Sequence, residues 1–125
     1  MVNLAVRDLL QPLIRAGRVA TCGVVELEIL FSARSTTEIE ELQATRAKAF
    51  HRIPTTDADF ARAEQVVHLL AKKGRHRSVG IPDLLVAAVA ENAGLTLIHY
   101  DQDFDRIAAV TGQPAIWVAP RGSLD

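Results

Sequence analysis

Hydrophobic residues near the start of the chain recur at the three- and four-residue spacing of an amphipathic helix. They are Leu4, Ala5, Leu9, Leu10, Leu13 and Ile14. Gly17 follows as a C-terminal stop signal, and Pro12 inside the pattern predicts a kink or a restart of the helix. The next stretch, residues 18–22, is short and favours a β-strand.

The middle of the chain alternates further helices with one brief strand. The segment 24–33 is long enough and apolar enough to form a buried helix, although its periodicity alone does not exclude a strand. Ser35 precedes acidic residues in the manner of a helix N-cap, and the helix it opens should continue to about Phe50. Residues 51–53 are interpreted as a strand before Pro54.

Thr56, followed three residues later by Asp59, predicts the start of another helix that ends near Gly74. We expect its apolar stripe to lie in the core. The stripe consists of Phe60, Ala63, Val67 and Leu70.

The last third of the chain is predicted to contain a helix, a strand, a second helix and a second strand, in that order. Pro82 fits the first turn of a helix that stops at Gly94. The elements that follow are a strand at 95–100, a helix at 101–111 stopped by Gly112, and a strand at 115–119. Strands that alternate with helices through short turns predict an α/β fold with a parallel sheet.

Composition narrows the class of protein. A chain of 125 residues with 49% hydrophobic residues has room for one domain with an ordinary core. Its net charge of -1 excludes the overall basic field of many nucleic-acid binders. The single cysteine, Cys22, should be a buried, inert thiol. Neither a membrane-length apolar run nor a signal peptide is visible, so we expect a cytoplasmic protein that makes no membrane contact.

Three acidic residues fall where predicted strands pass into helices. In parallel sheets this edge is where ligands bind, and it carries Glu28, Asp83 and Asp101. Glu28 has apolar neighbours at helical spacing, so a buried carboxylate there would need a partner or a metal ion. Glu26 faces another side of the same helix, and the pattern does not choose between the two glutamates.

Converging carboxylates require a positive partner. Each pair at about 4 Å repels by roughly 4 kcal/mol at an effective dielectric constant near 20. Oxygen ligands alone favour Mg²⁺ or Mn²⁺, and the four histidines show no zinc-binding spacing. The alternative is that Asp83, Asp101 and Asp103 only stabilise helix N-termini, with Asp105 merely solvated.

Two segments carry a resemblance to a known family. "TCGVVELEILFSAR" and "IPDLLVAAVAENAGLTLIHYDQDFDRIAAVTG" resemble the PIN-domain ribonucleases, in particular VapC-type toxins of type II toxin-antitoxin pairs. The resemblance implies a three-layer α/β sandwich with a central, mainly parallel sheet flanked by helices. It also implies RNA hydrolysis dependent on Mg²⁺ or Mn²⁺, neutralisation by a cognate antitoxin, and a homodimer.

The resemblance assigns roles residue by residue. Glu28, Asp83 and Asp101 match the family's catalytic metal ligands, and Asp103 matches an auxiliary ligand. The family's first strand and first acid have no counterpart, and Asp8, in mid-helix, is no substitute. We therefore expect residues 1–125 to form a single, N-terminally shortened PIN-like domain that aggregates or relies on a partner to fill the gap. The coding DNA upstream of Met1 would settle whether an in-frame strand ending in Asp precedes it.

A basic loop precedes Asp83, and its Arg75, His76 and Arg77 are candidate substrate-binding residues. The alternative is a solvated loop whose lysines complement a helix C-terminus. Two rival functions stay open. One is a catalytically incomplete module that retains dimerisation and antitoxin binding, which magnesium titration would distinguish. The other, a phosphotransfer enzyme, is disfavoured because no lysine follows Asp105.

Overall fold

The computed structural model describes residues 3–124 and divides the chain into two compact units, the first ending at Pro54 and the second beginning at Thr55. The first unit contains α1 (Leu4–Arg15), β1 (Ala20–Cys22), α2 (Gly23–Phe31), α3 (Thr36–Ala49) and β2 (His51–Ile53). The second contains α4 (Asp57–Ala71), α5 (Ile81–Asn92), β3 (Leu97–His99), α6 (Gln102–Thr111) and β4 (Ala115–Trp117). None of these helices within residues 3–124 has the length and apolar character needed to cross a membrane.

Each unit is built around one pair of parallel strands. In the first unit β1 pairs with β2, and Cys22 lies opposite Ile53. In the second unit β3 pairs with β4, and His99 lies opposite Trp117. Helices connect the strands of each pair, as parallel strands require. The predicted alternation of strands and helices is thereby confirmed.

The helix boundaries follow the capping signals in the sequence. Ser35 Oγ accepts a hydrogen bond from the Glu38 N–H at the start of α3. At the start of α4, the Thr56 N–H donates to Asp59 Oδ2 at 2.8 Å. The Asp59 carboxyl is buried, which opposes its ionisation. Hydrogen bonds from Thr56 and Asn92 outweigh that cost and hold the pKa of Asp59 below its usual value.

The end of α4 determines the path of the basic loop that follows it. Gly74 adopts a left-handed conformation with φ of 67°, which glycine reaches without steric cost. The Gly74 N–H donates to the Ala71 carbonyl and the Arg75 N–H to the Leu70 carbonyl, both at 2.9 Å. This pattern is a Schellman motif, and it fixes the backbone of Arg75 against the end of the helix.

The second unit has a continuous hydrophobic core. Leu70 of α4 and Ile107 of α6 are each 1% exposed. Burying one such side chain stabilises the fold by about 1.5–3 kcal/mol. The core is completed by Ala63, Val66, Val79, Leu84, Ala87, Ala88 and Leu97. Helices α4, α5 and α6 are therefore packed against one another around it.

The first unit buries fewer of its residues than the second unit does. Of its described residues, only Cys22 is fully buried, as expected for a free cysteine. The apolar run at 24–33 forms a helix, but the prediction that this helix is buried is wrong, because Leu27 is 70% and Phe31 is 93% exposed. The apolar residues of α2 surround much of the helix, whereas β1 and α3 cover only part of it.

One residue of the stripe predicted for α4 also lies outside the core. Phe60 is half exposed, whereas Ala63 and Leu70 are buried and Val67 packs against the core. The stripe reaches the protein interior from its second turn onward.

Candidate metal centre

Three aspartates of the second unit lie together. Each of Asp83, Asp101 and Asp103 offers one carboxylate oxygen, and these three oxygens lie within 4.8 Å of one another. Asp83 and Asp103 are half buried, and Asp101 is exposed. The structure thus brings together three of the four residues that the sequence analysis singled out as ligands.

Helix starts position all three carboxylates. Gly80 caps α5 and Pro82 lies in its first turn, directly before Asp83. Asp101 is the N-cap of α6, and its Oδ1 accepts a hydrogen bond from the Asp103 N–H at 2.9 Å. A helix N-terminus stabilises a nearby negative charge by roughly 0.3–1 kcal/mol. Asp101 therefore does cap a helix, as the alternative reading held, and also belongs to the cluster.

Arg106 offsets part of the negative charge of the cluster. Arg106 Nη1 donates to Asp103 Oδ1 at 2.8 Å and to the Ser78 carbonyl at 3.4 Å. Arg106 follows Asp103 by three positions on α6, a spacing that pairs opposite charges on a helix. That spacing was readable in the sequence, but the sequence analysis gave Arg106 no role.

The cluster fits a small divalent cation. In an octahedral Mg²⁺ site, adjacent ligand oxygens lie about 3 Å apart and opposite ones about 4.2 Å apart. The three carboxylate oxygens lie within 4.8 Å of one another, so side-chain rotations that bring them closer would allow them to share one ion. The donor set consists of oxygen alone, which suits Mg²⁺ or Mn²⁺ better than zinc.

A buried histidine lies directly behind Asp101. His99 Nδ1 accepts a hydrogen bond from the Asp101 N–H at 3.2 Å, so Nε2 carries the ring proton of the neutral form. Burial lowers the pKa of His99, although the carboxylates of Asp105 and Asp101 act against this shift. The rings of Phe104 and Trp117 pack against the imidazole at centroid distances of 5.3 and 4.9 Å. The sequence analysis missed this role of His99.

Asp105 has a defined partner, so the expectation that it is merely solvated is wrong. Its Oδ2 accepts a hydrogen bond from the Trp117 indole N–H at 3.0 Å. Its Oδ1 lies 3.5 Å from His99 Nε2. The contact with Trp117 depends on the parallel pairing of β3 with β4, which places Trp117 opposite His99. This pairing joins residues that are distant in the sequence.

The two glutamates of α2 belong to the first unit and differ in their surroundings. Glu26 accepts hydrogen bonds from Arg46 Nε and Nη2 at 2.7 and 2.9 Å, and another from the Thr21 hydroxyl. The hydrogen bonds from Arg46 lower the pKa of Glu26, although burial opposes them. Glu28 is exposed, so the expected apolar surroundings are absent. Its helix turns that position toward solvent together with Leu27.

The candidate substrate-binding residues lie in the loop between α4 and α5. Arg75, His76 and Arg77 are all exposed there. The hydrogen bond from Arg106 to the Ser78 carbonyl links this loop to the helix that carries Asp103.

Comparison with known proteins identifies the family to which this chain belongs. The model of the PIN domain matches residues 5–110, which include parts of both units. The chain belongs to the PIN domain family. The cluster of Asp83, Asp101 and Asp103 therefore lies within the matched part of a PIN domain.

Relatives within the family are close in sequence. The chain is 47% identical to the ribonuclease VapC21 of Mycobacterium tuberculosis strain H37Rv over 119 residues, which are 95% of this chain and 86% of the relative. It is 30% identical to a solved VapBC-5 of Mycobacterium tuberculosis, a member of the VapBC family of toxin-antitoxin systems. The match covers 79% of each chain at a TM-score of 0.57.

A more distant structure confirms the predicted fold class. The DNA-bound VapBC from Salmonella typhimurium has a TM-score of 0.74, covering 94% of this chain and 86% of that chain at 16% identity. At that identity the likeness concerns the fold alone. The chain is an α/β protein with the PIN-like arrangement of helices and parallel strands.

Proposed function

We propose that this chain is a metal-dependent ribonuclease toxin that hydrolyses RNA phosphodiester bonds and is neutralised by a cognate antitoxin. The observation that carries the proposal is the convergence of Asp83, Asp101 and Asp103 within a PIN domain. The name of its relative VapC21, a ribonuclease, supports the same activity.

We assign Mg²⁺, or Mn²⁺ in its place, to the aspartate cluster, with Glu28 as a further ligand. When bound, such an ion activates water and stabilises the charge that develops on the phosphate. Asp83, Asp101 and Asp103 hold the ion through oxygens that helix starts keep in place. Arg106 limits the repulsion among them by pairing with Asp103.

We assign substrate binding to Arg75, His76 and Arg77. These exposed residues carry positive or ionisable side chains in the loop that leads to α5 and Asp83. A local basic patch of this kind attracts RNA phosphates even in a chain with a net charge of -1.

Cleavage of structured RNA tests the activity. The protein should cleave it with Mg²⁺ and should lose the activity when EDTA is added. Absence of cleavage with either Mg²⁺ or Mn²⁺, while the chain is folded and binds its antitoxin, would favour the catalytically incomplete binding module. In that case a magnesium titration should also detect no binding.

The two glutamates of α2 provide a matched test of the fourth ligand. Glu28 makes no hydrogen bond or ion pair with the part of the chain that the structure describes, whereas Glu26 is held by Arg46. Glu28→Gln should therefore abolish cleavage without lowering the melting temperature. Glu26→Gln should lower the melting temperature and leave cleavage largely intact. The reverse result would assign the metal-binding role to Glu26.

We also propose two protein partners. Exposed Leu27 and Phe31 lie four residues apart on one face of α2 and are suited to an apolar segment of the antitoxin. Leu27→Ser with Phe31→Ser should weaken antitoxin binding, measured by calorimetry. Homodimer formation is a second proposal, which light scattering coupled to gel filtration tests. A cytoplasmic location stays a prediction from the sequence.

A further inference from the structure

The second unit contains a cavity that the metal centre does not use. Its volume is about 280 Å³, and it is lined by Leu70, Lys73, Arg75, Arg106, Ala109 and Val110. Three of the six lining residues are cationic and none is acidic. The cavity therefore combines cationic residues with accessible apolar residues of α6, Ala109 and Val110.

The backbone holds the basic side of this cavity in place. The Schellman motif fixes the Arg75 N–H on the Leu70 carbonyl. The Arg75 carbonyl accepts hydrogen bonds from Ser78 Oγ at 2.7 Å and from the Ser78 N–H at 3.1 Å. The Arg75 backbone is thus held on both sides of its Cα, so little backbone entropy is lost when its side chain binds a ligand.

The two loop cations are available to a ligand. Lys73 and Arg75 are exposed, and within residues 3–124 neither side chain forms a hydrogen bond or an ion pair. Cations on one cavity wall repel one another, and a bound anion relieves that repulsion.

Arg106 connects the cavity to the metal centre. Arg106 lines the cavity, and its Nη1 also donates a hydrogen bond to Asp103 Oδ1 at 2.8 Å. An anion bound in the cavity would therefore lie one side chain away from the aspartate cluster. An RNA strand whose scissile phosphate reached the aspartate cluster could place a neighbouring phosphate in the cavity.

We propose that this cavity is a subsite for single-stranded RNA, in which Lys73, Arg75 and Arg106 bind one backbone phosphate while Ala109 and Val110 contact the attached ribose or base. The assignment rests on the proposed ribonuclease activity and names the place where its substrate is held. A volume of about 280 Å³ suits one unstacked nucleotide rather than a duplex.

Equilibrium filter binding of a short, radiolabelled, mixed-sequence single-stranded RNA in EDTA tests the subsite without cleavage. The test variant is Lys73→Ala with Arg75→Ala. The matched control is Lys48→Ala with Lys72→Ala, which removes the same charge but no residue that lines the cavity or is assigned to substrate binding. Loss of this one phosphate contact should flatten the salt dependence by about 0.7 and weaken binding roughly 5-fold at 0.1 M salt.

The control variant should weaken binding only slightly and keep the salt slope of the parent protein. Equal effects of the two variants, or no RNA binding by the parent protein in EDTA, would overturn the subsite. Cleavage assays separate this outcome from failure of the proposed activity. If the parent protein cleaves RNA, the test variant should raise KM more than it lowers kcat. If the parent does not cleave, the ribonuclease proposal fails, while the filter-binding result still decides the subsite.

Discussion

The two units of the chain differ in how far they enclose their hydrophobic residues. The second unit packs α4, α5 and α6 around Leu70 and Ile107, which are almost inaccessible to solvent. In the described part of the first unit, only Cys22 is comparably buried, and Phe31 of α2 is almost fully exposed. Helices predominate in both units, so the difference in burial reflects how the helices pack rather than which secondary structure is present.

The comparison shows where rigid geometry is available for chemistry. Asp83, Asp101 and Asp103 all project from the starts of helices that a core holds in place. Glu28 projects from a helix on which Leu27 and Phe31 are exposed. Precise placement of a ligand requires support from packed neighbours, and the second unit supplies that support for its three aspartates.

The largest expected effect is on activity, and it tests whether the second unit holds the metal centre. Asp83→Asn or Asp101→Asn should reduce Mg²⁺-dependent RNA cleavage by more than about 100-fold, because each substitution removes a negatively charged ligand. Asp105→Asn is the matched control on α6, since its carboxylate contacts Trp117 and lies outside the cluster. Activity should survive in the control, and cleavage at parental rates in Asp101→Asn would remove the cluster from the mechanism.

A second prediction tests the contrast in packing. Ile107→Ala should lower the free energy of unfolding by about 2–5 kcal/mol, because it leaves a cavity in the core of the second unit. Phe31→Ala should change it by no more than about 0.5 kcal/mol, because that side chain is 93% exposed. Urea unfolding of both variants provides the measurement. Similar losses in the two would show that Phe31 is covered in solution.

A smaller effect is expected at the start of α4. Asp59→Ala should cost about 1–2 kcal/mol near neutral pH, because Thr56 and Asn92 lose their acceptor. The folded-state pKa of Asp59 lies below its unfolded value, so this contribution is present above about pH 4 and is lost as the pH falls through the folded-state pKa. The difference in the free energy of unfolding between parent and variant, measured by urea unfolding, should therefore disappear as the pH is lowered. Exposed Asp57→Ala is the control, and a difference that widened in acid would contradict the assignment.

The smallest effect is expected at Glu26 in the first unit. Glu26→Gln should cost roughly 1 kcal/mol near neutral pH, because its pair with Arg46 is partly exposed. The pKa of Glu26 is lowered in the folded state, so the contribution is present above about pH 4 and is lost as the pH falls below that value. Glu28→Gln should leave stability unchanged, and thermal unfolding at several pH values compares the two.

Local signals in the sequence predicted most of the elements. Ser35, Thr56 and Gly74 mark helix boundaries because their effects depend on hydrogen bonds within a few residues. Asp101 was likewise visible as an acid at a strand-to-helix turn, and Asp83 as an acid in the first turn of a helix. For these features the residues that decide the structure are close to one another along the chain.

Contacts between distant residues escaped the sequence analysis. The exposure of Phe31 depends on which faces of α2 the neighbouring elements cover, and no periodicity indicates that for a helix with apolar residues on several sides. The bond between Asp105 and Trp117 depends on the pairing of β3 with β4. The resemblance to PIN domains indicated Glu28 rather than Glu26, and the partners of Glu26 appeared only in the structure.

The position of Trp117 has a practical consequence. It is the only tryptophan in the chain, and its ring contacts His99, whose Nδ1 holds the backbone of Asp101. Its indole N–H is also bonded to the Asp105 carboxylate. Tryptophan fluorescence therefore comes from one residue, two contacts away from the aspartate cluster. Ion binding at that cluster should change this emission, so binding can be measured without attaching a fluorescent label.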